Sequence, residues 1–183
     1  VRVPSLASPD LRITALSPPP PVAAPGEAFS VSDTTHNVGP EPAASSYNAY
    51  YLSTSGETPD IRLTNNRYLD ELAAGQTATG SRNVKVPVSV PSGSYWLLAC
   101  ADGGDDVPEQ EEGNNCALAE TKVTIGKPDL RQRDVATTST SATPGAKISV
   151  TDTVDNPSAV TALASTTRYY LSLDSMRNGG DLL

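Results

Sequence analysis

The sequence repeats itself at a constant offset of 119 residues, and this repeat constrains the fold more than any other feature. The block APGEAFSVSDTTHN that begins at Ala24 recurs as TPGAKISVTDTVDN, which begins at Thr143. The segment YYLS at 50–53 recurs at 169–172, and the register holds without a gap over about 45 residues. Several matched blocks in one register indicate two copies of one structural unit.

The repeat divides the chain into two units of unequal completeness. We predict an N-terminal linker at 1–8, a complete unit at 9–127, and the first half of a second unit at 128–183. The last residue, Leu183, aligns with Thr64 of the first unit. The opening VRVPSLASPD has no signal-peptide pattern and is interpreted as a linker or a mature start in an excerpt of something longer.

The first unit has the pattern of short β-strands separated by turns. Polar and apolar residues alternate in most segments, and the 16 Pro and 13 Gly argue against long helices. SPPPPVAAPGE is interpreted as a connector and ELAAGQTATGS as a turn. The predicted strands are 10–16, 28–38, 46–54, a short one within 61–70, 82–90, 94–101 and 116–125. This pattern predicts an all-β fold of tandem immunoglobulin-like β-sandwiches, the second one incomplete.

The charge of the chain excludes two classes of partner. The formal net charge is −8 and the pI is about 4.5. Nucleic acid and anionic membrane surfaces both require a basic face, so neither is expected to bind. No apolar stretch is long enough for a membrane helix, and no membrane insertion is expected.

The two cysteines of the chain bracket an acidic segment, CADGGDDVPEQEEGNNC. Cys100 ends one predicted strand and Cys116 begins the next, so a hairpin would place them opposite each other. That arrangement permits a disulfide if both side chains share a face; the alternative is two neighbouring free thiols. An oxidised pair would imply an extracellular or periplasmic setting.

The order and spacing of several short motifs resemble the CARDB domain, the cell-adhesion-related domain found in bacteria. The matching residues are Pro9-Asp10-Leu11, Pro25-Gly26, Asp33-Thr34, Asn37, Tyr50-Tyr51-Leu52-Ser53, and Cys100 through Cys116 with its closing Glu112-Gly113-Asn114-Asn115-Cys116. The resemblance covers the first unit and the first half of the second. It implies immunoglobulin-type sandwiches that occur in tandem on secreted and surface proteins, where they act as spacers or binding modules.

The acidic segment between the cysteines admits two interpretations. Its carboxylates would suit calcium, which takes six to eight oxygen ligands, although the spacing does not match an EF-hand. The other interpretation is a solvated hairpin tip that Asn114 and Asn115 shape through hydrogen bonds to the backbone. The candidate calcium ligands are Asp102, Asp105, Asp106, Glu109 and Glu112, with Glu111 in the same run.

Other candidate sites in the sequence are weak. Asp174, Asn178 and Asp181 form a smaller polar group in the second unit, where Asn-Gly-Gly-Asp is first of all a turn signal. His36 is the only histidine, and nothing places it with a serine and an acid as a catalytic triad requires. We therefore expect no enzyme activity and no cofactor other than the alternative calcium ion.

The tyrosines of the first unit are candidates for a carbohydrate-binding face, because aromatic rings stack on sugars. The alternative is that they belong to the core or to cross-strand pairs. The tyrosines concerned are Tyr47, Tyr50, Tyr51, Tyr68 and Tyr95.

Half a sandwich would expose an apolar face and an unpaired strand edge, so the second unit is expected to need completion. The chain continuing beyond 128–183, strands from another copy, and packing on another protein are the three alternatives. The sequence thus predicts a non-catalytic extracellular module for spacing, adhesion or assembly, with a fibre subunit as one form. Its partners would be other protein domains or copies of itself. The alternative function is a carbohydrate-binding or spacer module of a larger secreted hydrolase.

Overall fold

The structure, a computed structural model, describes residues 7–162 and 164–174. The described residues form two compact units, one of 7–128 with 158–160 and the other of 129–157 with 161–162 and 164–174. All regular elements in these ranges are β-strands, which confirms the all-β prediction.

Nine strands make up the first unit. They alternate with turns rich in Pro, Gly, Asn and Asp, which interrupt strand pairing. The strands are β1 (Leu11–Leu16), β2 (Val22–Ala23), β3 (Ala28–Asn37), β4 (Ser46–Ser53), β5 (Ile61–Arg62), β6 (Arg67–Leu69), β7 (Thr77–Lys85), β8 (Gly93–Cys100) and β9 (Cys116–Ile125).

These strands form two sheets that enclose one core. A three-stranded antiparallel sheet has the order β1-β3-β7, and a six-stranded sheet has the order β2-β9-β8-β4-β5 with β6 also paired to β4. Both sheets contribute their inward residues to the core, including Leu11 and Val31 from one sheet and Tyr50, Leu97 and Val123 from the other. The predicted sandwich of immunoglobulin type is therefore confirmed.

The predicted strand 82–90 is wrong in position, because the strand is Thr77–Lys85. Val84, Val86 and Val90 are buried as the alternation suggested, but the last two lie beyond the strand. Pro87 lacks the N–H that strand pairing requires, and the chain turns just after it. The segment ELAAGQTATGS was predicted as a turn throughout, whereas only its first part turns before β7 begins.

Two other predictions about strands need correction. The proline-rich connector contains β2, which pairs in parallel with β9 through Val22↔Thr124 and Ala23↔Ile125. As an edge strand it tolerates its flanking prolines, which a central strand would not. The single short strand expected within 61–70 is two strands, β5 and β6, which both pair with β4.

The described part of the second unit contains a two-stranded antiparallel sheet of β10 (Arg131–Thr137) and β11 (Val150–Asp155). Arg131 pairs with Asp155 as Arg12 pairs with His36 in the first unit, at the offset of 119 residues. The irregularity between Ile13 and Ala15 also recurs, between Gln132 and Asp134. The sequence repeat is thus accompanied by the same strand pairing.

Candidate functional site

The acidic segment folds back against the start of β1. The backbone N–H of Leu11 donates a 2.5 Å hydrogen bond to Oε2 of Glu109, and Nδ2 of Asn115 donates a 3.0 Å bond to Oε1 of the same carboxylate. The N–H of Gln110 donates to the carbonyl oxygen of Pro9 at 2.8 Å. These bonds tie the segment to the first strand of the opposite sheet.

Asp102 and Glu112 also hold the acidic segment in shape. Oδ2 of Asp102 accepts a 2.8 Å hydrogen bond from the N–H of Val107, and Oε1 of Glu112 accepts one of 2.8 Å from the N–H of Glu109. Asp102 is buried and has a φ of 41°, a left-handed conformation that Asp tolerates better than most residues. The carboxylates therefore act on the backbone of their own loop.

Burial changes the protonation of Glu109. Desolvation raises its pKa to about 7, against the opposing effect of the hydrogen bonds from Leu11 and Asn115. The neighbouring carboxylates of Glu112 and Asp102 add to the increase, because a second negative charge nearby is unfavourable. Glu109 therefore titrates near neutral pH.

A disulfide closes the acidic segment at its base. Cys100 and Cys116 are directly paired residues of β8 and β9, with a Cα–Cα distance of 3.9 Å. The predicted pairing is confirmed, and the alternative of two free thiols is wrong. The cross-link fixes the two strand ends from which the segment emerges.

The calcium hypothesis stays a prediction. The carboxylates of Asp102 and Glu109 accept hydrogen bonds from backbone N–H groups, and Glu109 also accepts one from the side-chain amide of Asn115. The other three candidate ligands, Asp105, Asp106 and Glu112, are exposed. Among the residues that the structure describes, no group of three or more His, Cys, Asp or Glu side chains is arranged to hold a metal ion. Asn115 bonds to a side chain rather than to the backbone as was expected.

A buried polar cluster lies between the two sheets and was not predicted. Asp33 is its centre and accepts hydrogen bonds from the hydroxyl of Tyr50 at 2.5 Å and from Nδ2 of Asn48 at 2.6 Å. Arg67 forms an ion pair with the same carboxylate, and its Nε lies 3.0 Å from Oδ2. Nδ2 of Asn48 also bonds to Oγ1 of Thr35 at 2.7 Å.

The buried polar cluster is fully enclosed at its centre. The side chain of Asp33 is 0% exposed and that of Arg67 is 11% exposed. Burial raises the pKa of Tyr50, and so does its hydrogen bond to Asp33. A Cβ at Gly80 would lie 3.1 Å from Cδ of Arg67, so the glycine leaves room for the arginine. Asp33, Arg67 and Tyr50 bond to one another and are largely screened from solvent, an arrangement that stabilises a fold, while Oδ1 of Asn48 is buried beside them without a hydrogen-bond partner.

A second buried residue, Asn37, joins three segments of the first unit. Its Oδ1 accepts from the N–H of Asp10 at 3.2 Å and from the N–H of Gly39 at 3.1 Å. Its Nδ2 donates to the carbonyl oxygens of Glu41 at 2.8 Å and Leu72 at 2.9 Å. β3 ends at Asn37, and from there the side-chain amide of Asn37 supplies the hydrogen bonds that hold the neighbouring backbone segments together.

The sequence did contain a signal for these residues. Asp33 and Asn37 correspond to Asp152 and Asn156 in the repeat, and the alternation of β3 continues through them onto the inward face. In the second unit the hydroxyl of Tyr169 donates to Oδ1 of Asp152 at 2.5 Å. That bond is the counterpart of the bond from Tyr50 to Asp33.

The tyrosines considered for carbohydrate binding separate into two groups. Tyr50 and Tyr95 are buried in the core and cannot contact a ligand. Tyr47 and Tyr51 lie on the outer face of the six-stranded sheet, and Tyr68 of β6 is 75% exposed. The rings of Tyr47 and Tyr68 meet edge to face, with centroids 5.8 Å apart.

Two cationic side chains lie over aromatic rings on the same outer face. The guanidinium carbon of Arg62 is 5.7 Å from the ring centroid of Tyr47 and 5.9 Å from that of Tyr51. Nζ of Lys122 is 4.9 Å from the ring of Trp96. In the part of the chain that the structure describes, neither Arg62 nor Lys122 forms an ion pair with a carboxylate.

The other candidates stay apart from these features. A shallow polar cavity of about 460 Å³ lies at β3 and β7 and is lined by Ser30, Asn65, Ser81, Arg82 and Asn83. His36 occupies the end of β3, where it pairs with Arg12 and Thr77.

Of the second unit's polar group, only Asp174 is described. Its Oδ1 accepts a 3.1 Å hydrogen bond from the hydroxyl of Ser172. Asn178 and Asp181 lie outside the described residues.

Comparison with known families decides the relationship that the motifs suggested. The model of the CARDB family matches residues 8–119, which is more than half of the chain. The chain belongs to the CARDB family. The match includes β1 through β8, the whole acidic segment and the first residues of β9. Comparison with curated proteins gives no match.

Two solved structures similar to this CARDB chain come from archaea. The CARDB domain of a Pyrococcus furiosus protein in complex with di-metal ions is 19% identical, with a TM-score of 0.45, over 65% of this chain and 90% of that one. A domain of a putative cell surface protein from Methanosarcina acetivorans is also 19% identical, with a TM-score of 0.44, over 66% of this chain and 94% of that one.

A third similar structure is an enzyme. A β-glucosidase from Erythrobacter marinus is 14% identical with a TM-score of 0.40, over 64% of this chain and 16% of the enzyme. Separately, the described residues of the CARDB chain include no helix of the length and apolarity that crossing a membrane requires.

Proposed function

We propose that this CARDB chain is a non-catalytic structural module of an extracellular or cell-surface assembly. The buried polar cluster carries the proposal. Asp33, Arg67 and Tyr50 are charged or ionisable groups in close contact, yet they bond to one another inside the sandwich. A catalytic group must reach its substrate, and these groups have no access to one.

The disulfide supports the cellular setting of the proposal. Cys100 and Cys116 are joined, and disulfides persist in oxidising compartments while cytosolic thiols are kept reduced. Family membership agrees with this setting, because CARDB domains are cell-adhesion-related. Adhesion, spacing or assembly is therefore the role for which the stabilised sandwich is suited.

The setting can be tested on cells that produce the protein. The free thiols of intact cells are blocked with an alkylating reagent before lysis, and the mass of the protein is then measured. We expect both cysteines to be unmodified and the mass to be two hydrogens below the reduced value. Antibody labelling of unpermeabilised cells should detect the protein. Alkylated cysteines together with labelling only after permeabilisation would contradict the proposal.

Assembly through the second unit is a further part of the proposal. Leu130, Tyr169 and Leu171 are 45%, 43% and 66% exposed. Their counterparts in the first unit, Leu11, Tyr50 and Leu52, are 1%, 0% and 0% exposed because the strands of a complete sandwich cover them. We infer that additional β-strands cover this face of the second unit, from the same polypeptide, another copy or another protein.

Light scattering combined with intact-mass measurement tests this inference on the native species. A longer polypeptide, or an assembly of 19.0 kDa chains, would agree with it. A cooperatively folded monomer of this length would show that no covering strands are needed. That result would remove the fibre-subunit form of the proposal while leaving the extracellular setting untouched.

A further inference from the structure

The outer face of the six-stranded sheet carries a row of aromatic and cationic side chains that crosses several strands. We call this row the outer strip; it consists of Tyr47, Tyr51, Arg62, Tyr68, Trp96 and Lys122. The strand register fixes its order, since Arg62 pairs with Tyr51 and Trp96 pairs with both Ser53 and Lys122. All six side chains therefore share one side of the sheet.

The cations of the outer strip are placed to receive an anion. Arg62 lies beside the rings of Tyr47 and Tyr51, which limits the positions that its guanidinium can take. Within the described residues it forms no ion pair, and neither does Lys122 at the opposite edge of the strip. A planar guanidinium held in this way matches a carboxylate through two parallel hydrogen bonds.

The aromatic residues of the outer strip favour a sugar over other anions. Tyr68 presents a ring that is 75% exposed beside Tyr47, whose ring Arg62 also contacts, and a tyrosine ring offers an apolar surface with a polar hydroxyl at its tip. The apolar C–H face of a pyranose stacks on such a ring while its hydroxyl groups bond to polar neighbours. A charged residue next to a sugar platform suits a sugar that itself bears a carboxylate.

The size of the outer strip argues against a folded protein as its main partner. Strands 4.8 Å apart give a width of about 14 Å from β5 to β9, and the residues from Tyr47 to Ser53 give a length of about 20 Å. This area, about 300 Å², is well below the roughly 800 Å² per partner of specific protein interfaces. Leu98, in the middle of the strip, is already buried.

We propose that the outer strip binds an extended polysaccharide that bears carboxylates, with Arg62 pairing with a carboxylate and Tyr68 stacking on a sugar ring. Lys122 would pair with a second carboxylate across the sheet. The acidic segment borders the Tyr47 end, where the tyrosine hydroxyl donates to the carbonyl oxygen of Gly103, so the polysaccharide extends from Arg62 toward Lys122. Such a polysaccharide would be the target of the proposed adhesive role, and the binding proposal rests on that proposed function.

Titration with polygalacturonate at low salt tests the binding surface, with neutral dextran as the comparison polymer. Polygalacturonate should bind, more weakly as salt increases, and dextran should not. Arg62→Gln and Tyr68→Ala should each weaken binding about tenfold, as expected for the loss of one charge-assisted or stacking contact. Lys122→Gln should weaken it to a smaller extent, because a lysine pairs less specifically.

Lys85→Gln is the matched control, because it removes one positive charge from an exposed position on the other sheet. It should change the affinity by less than about twofold. Thermal unfolding of each variant verifies the fold, and Tyr68→Leu replaces Tyr68→Ala if the latter is unstable.

Absence of polygalacturonate binding would overturn the inference, as would equal losses in the Arg62 and Lys85 variants. Either result would leave the disulfide and surface labelling, which test the proposed function, unaffected.

Discussion

The hydroxyl of Tyr50 donates a 2.5 Å hydrogen bond to the buried carboxylate of Asp33, linking the inner faces of the two sheets. Tyr50 belongs to β4 of the six-stranded sheet and Asp33 to β3 of the three-stranded sheet. The bond therefore fixes the sheets relative to each other at a defined point, which apolar contacts alone do less specifically.

Replacing Tyr50 with phenylalanine should destabilise the first unit by about 2 kcal/mol, since a hydrogen bond to a charged group is lost in the core. Urea unfolding followed by the fluorescence of Trp96 measures the change. Tyr95→Phe is the matched control, because its hydroxyl is bonded to the neutral carbonyl oxygen of Pro91 at 3.0 Å. We expect about 1 kcal/mol for that variant, and equal losses would argue against a special role for Asp33.

Arg67→Met should cost about 3–5 kcal/mol, because it leaves the carboxylate of Asp33 buried without its cation. Combining it with Asp33→Asn should recover part of the loss, since the uncompensated charge disappears. The unfolding free energies of the single and double variants give the coupling between the two residues. Additive effects would show that the ion pair contributes little beyond packing.

Removing the disulfide with Cys100→Ala and Cys116→Ala should lower the unfolding free energy by about 3 kcal/mol, the cost expected for releasing a closed loop of this size. The unfolding free energies of oxidised wild type, reduced wild type and the double variant should be compared. The comparison separates the contribution of the cross-link from that of the packing of the two cysteine side chains. If reduction leaves the unfolding midpoint unchanged, the cross-link does not stabilise the domain.

Stability should decrease as the pH rises through neutrality, because of Glu109. Its pKa is raised from 4.5 to about 7 in the folded state, so the folded state holds the proton more tightly than the unfolded state does. The resulting stabilisation is complete below pH 4.5 and disappears as the pH passes 7. Because the residue is partly exposed, we expect a decrease of about 1–2 kcal/mol rather than the full value of the shift.

Glu109→Gln should remove this pH dependence and should be more stable than wild type at pH 8. Glutamine can still accept from the N–H of Leu11, whereas Glu109→Ala cannot and should be less stable at every pH. Unfolding curves between pH 4 and 9 distinguish the two variants. A pH dependence that persists in Glu109→Gln would assign the effect to another group.

Much of the fold followed from alternation and turns in the sequence. β9 begins and ends where predicted, and β1, β3, β4 and β8 agree within one residue at each end, because their apolar positions face one core. β7 was displaced because its first half, from Thr77 to Ser81, has no large apolar residue, while Val86 and Val90 beyond its end are buried without being in a strand and Val88 between them is exposed.

The buried polar cluster escaped prediction for a physical reason. Polar residues are usually exposed, so composition alone does not indicate that Asp33 and Asn48 are buried, even though they continue the inward alternation of their strands. Arg67, the residue that makes Asp33 tolerable in the core, is 34 residues away in sequence and comes from a three-residue strand. The recurrence of Asp33 at Asp152 and the inward alternation of β3 were the two signals in the sequence.

The parallel pairing of β2 with β9 has a mechanical consequence for a module that bears load. β2 lies near the beginning of the unit's sequence and β9 at its end, although the two strands are neighbours in the sheet. Tension applied to the two ends of the chain would therefore pull the paired strands in opposite directions along their length. Their hydrogen bonds would be sheared together rather than broken one after another. After rupture, the 16-residue separation between Cys100 and Cys116 could not extend, which shortens the released length by about 50 Å. The first unit would thus resist tension through this parallel pair and, once ruptured, would release about 50 Å less chain than the same unit without the disulfide.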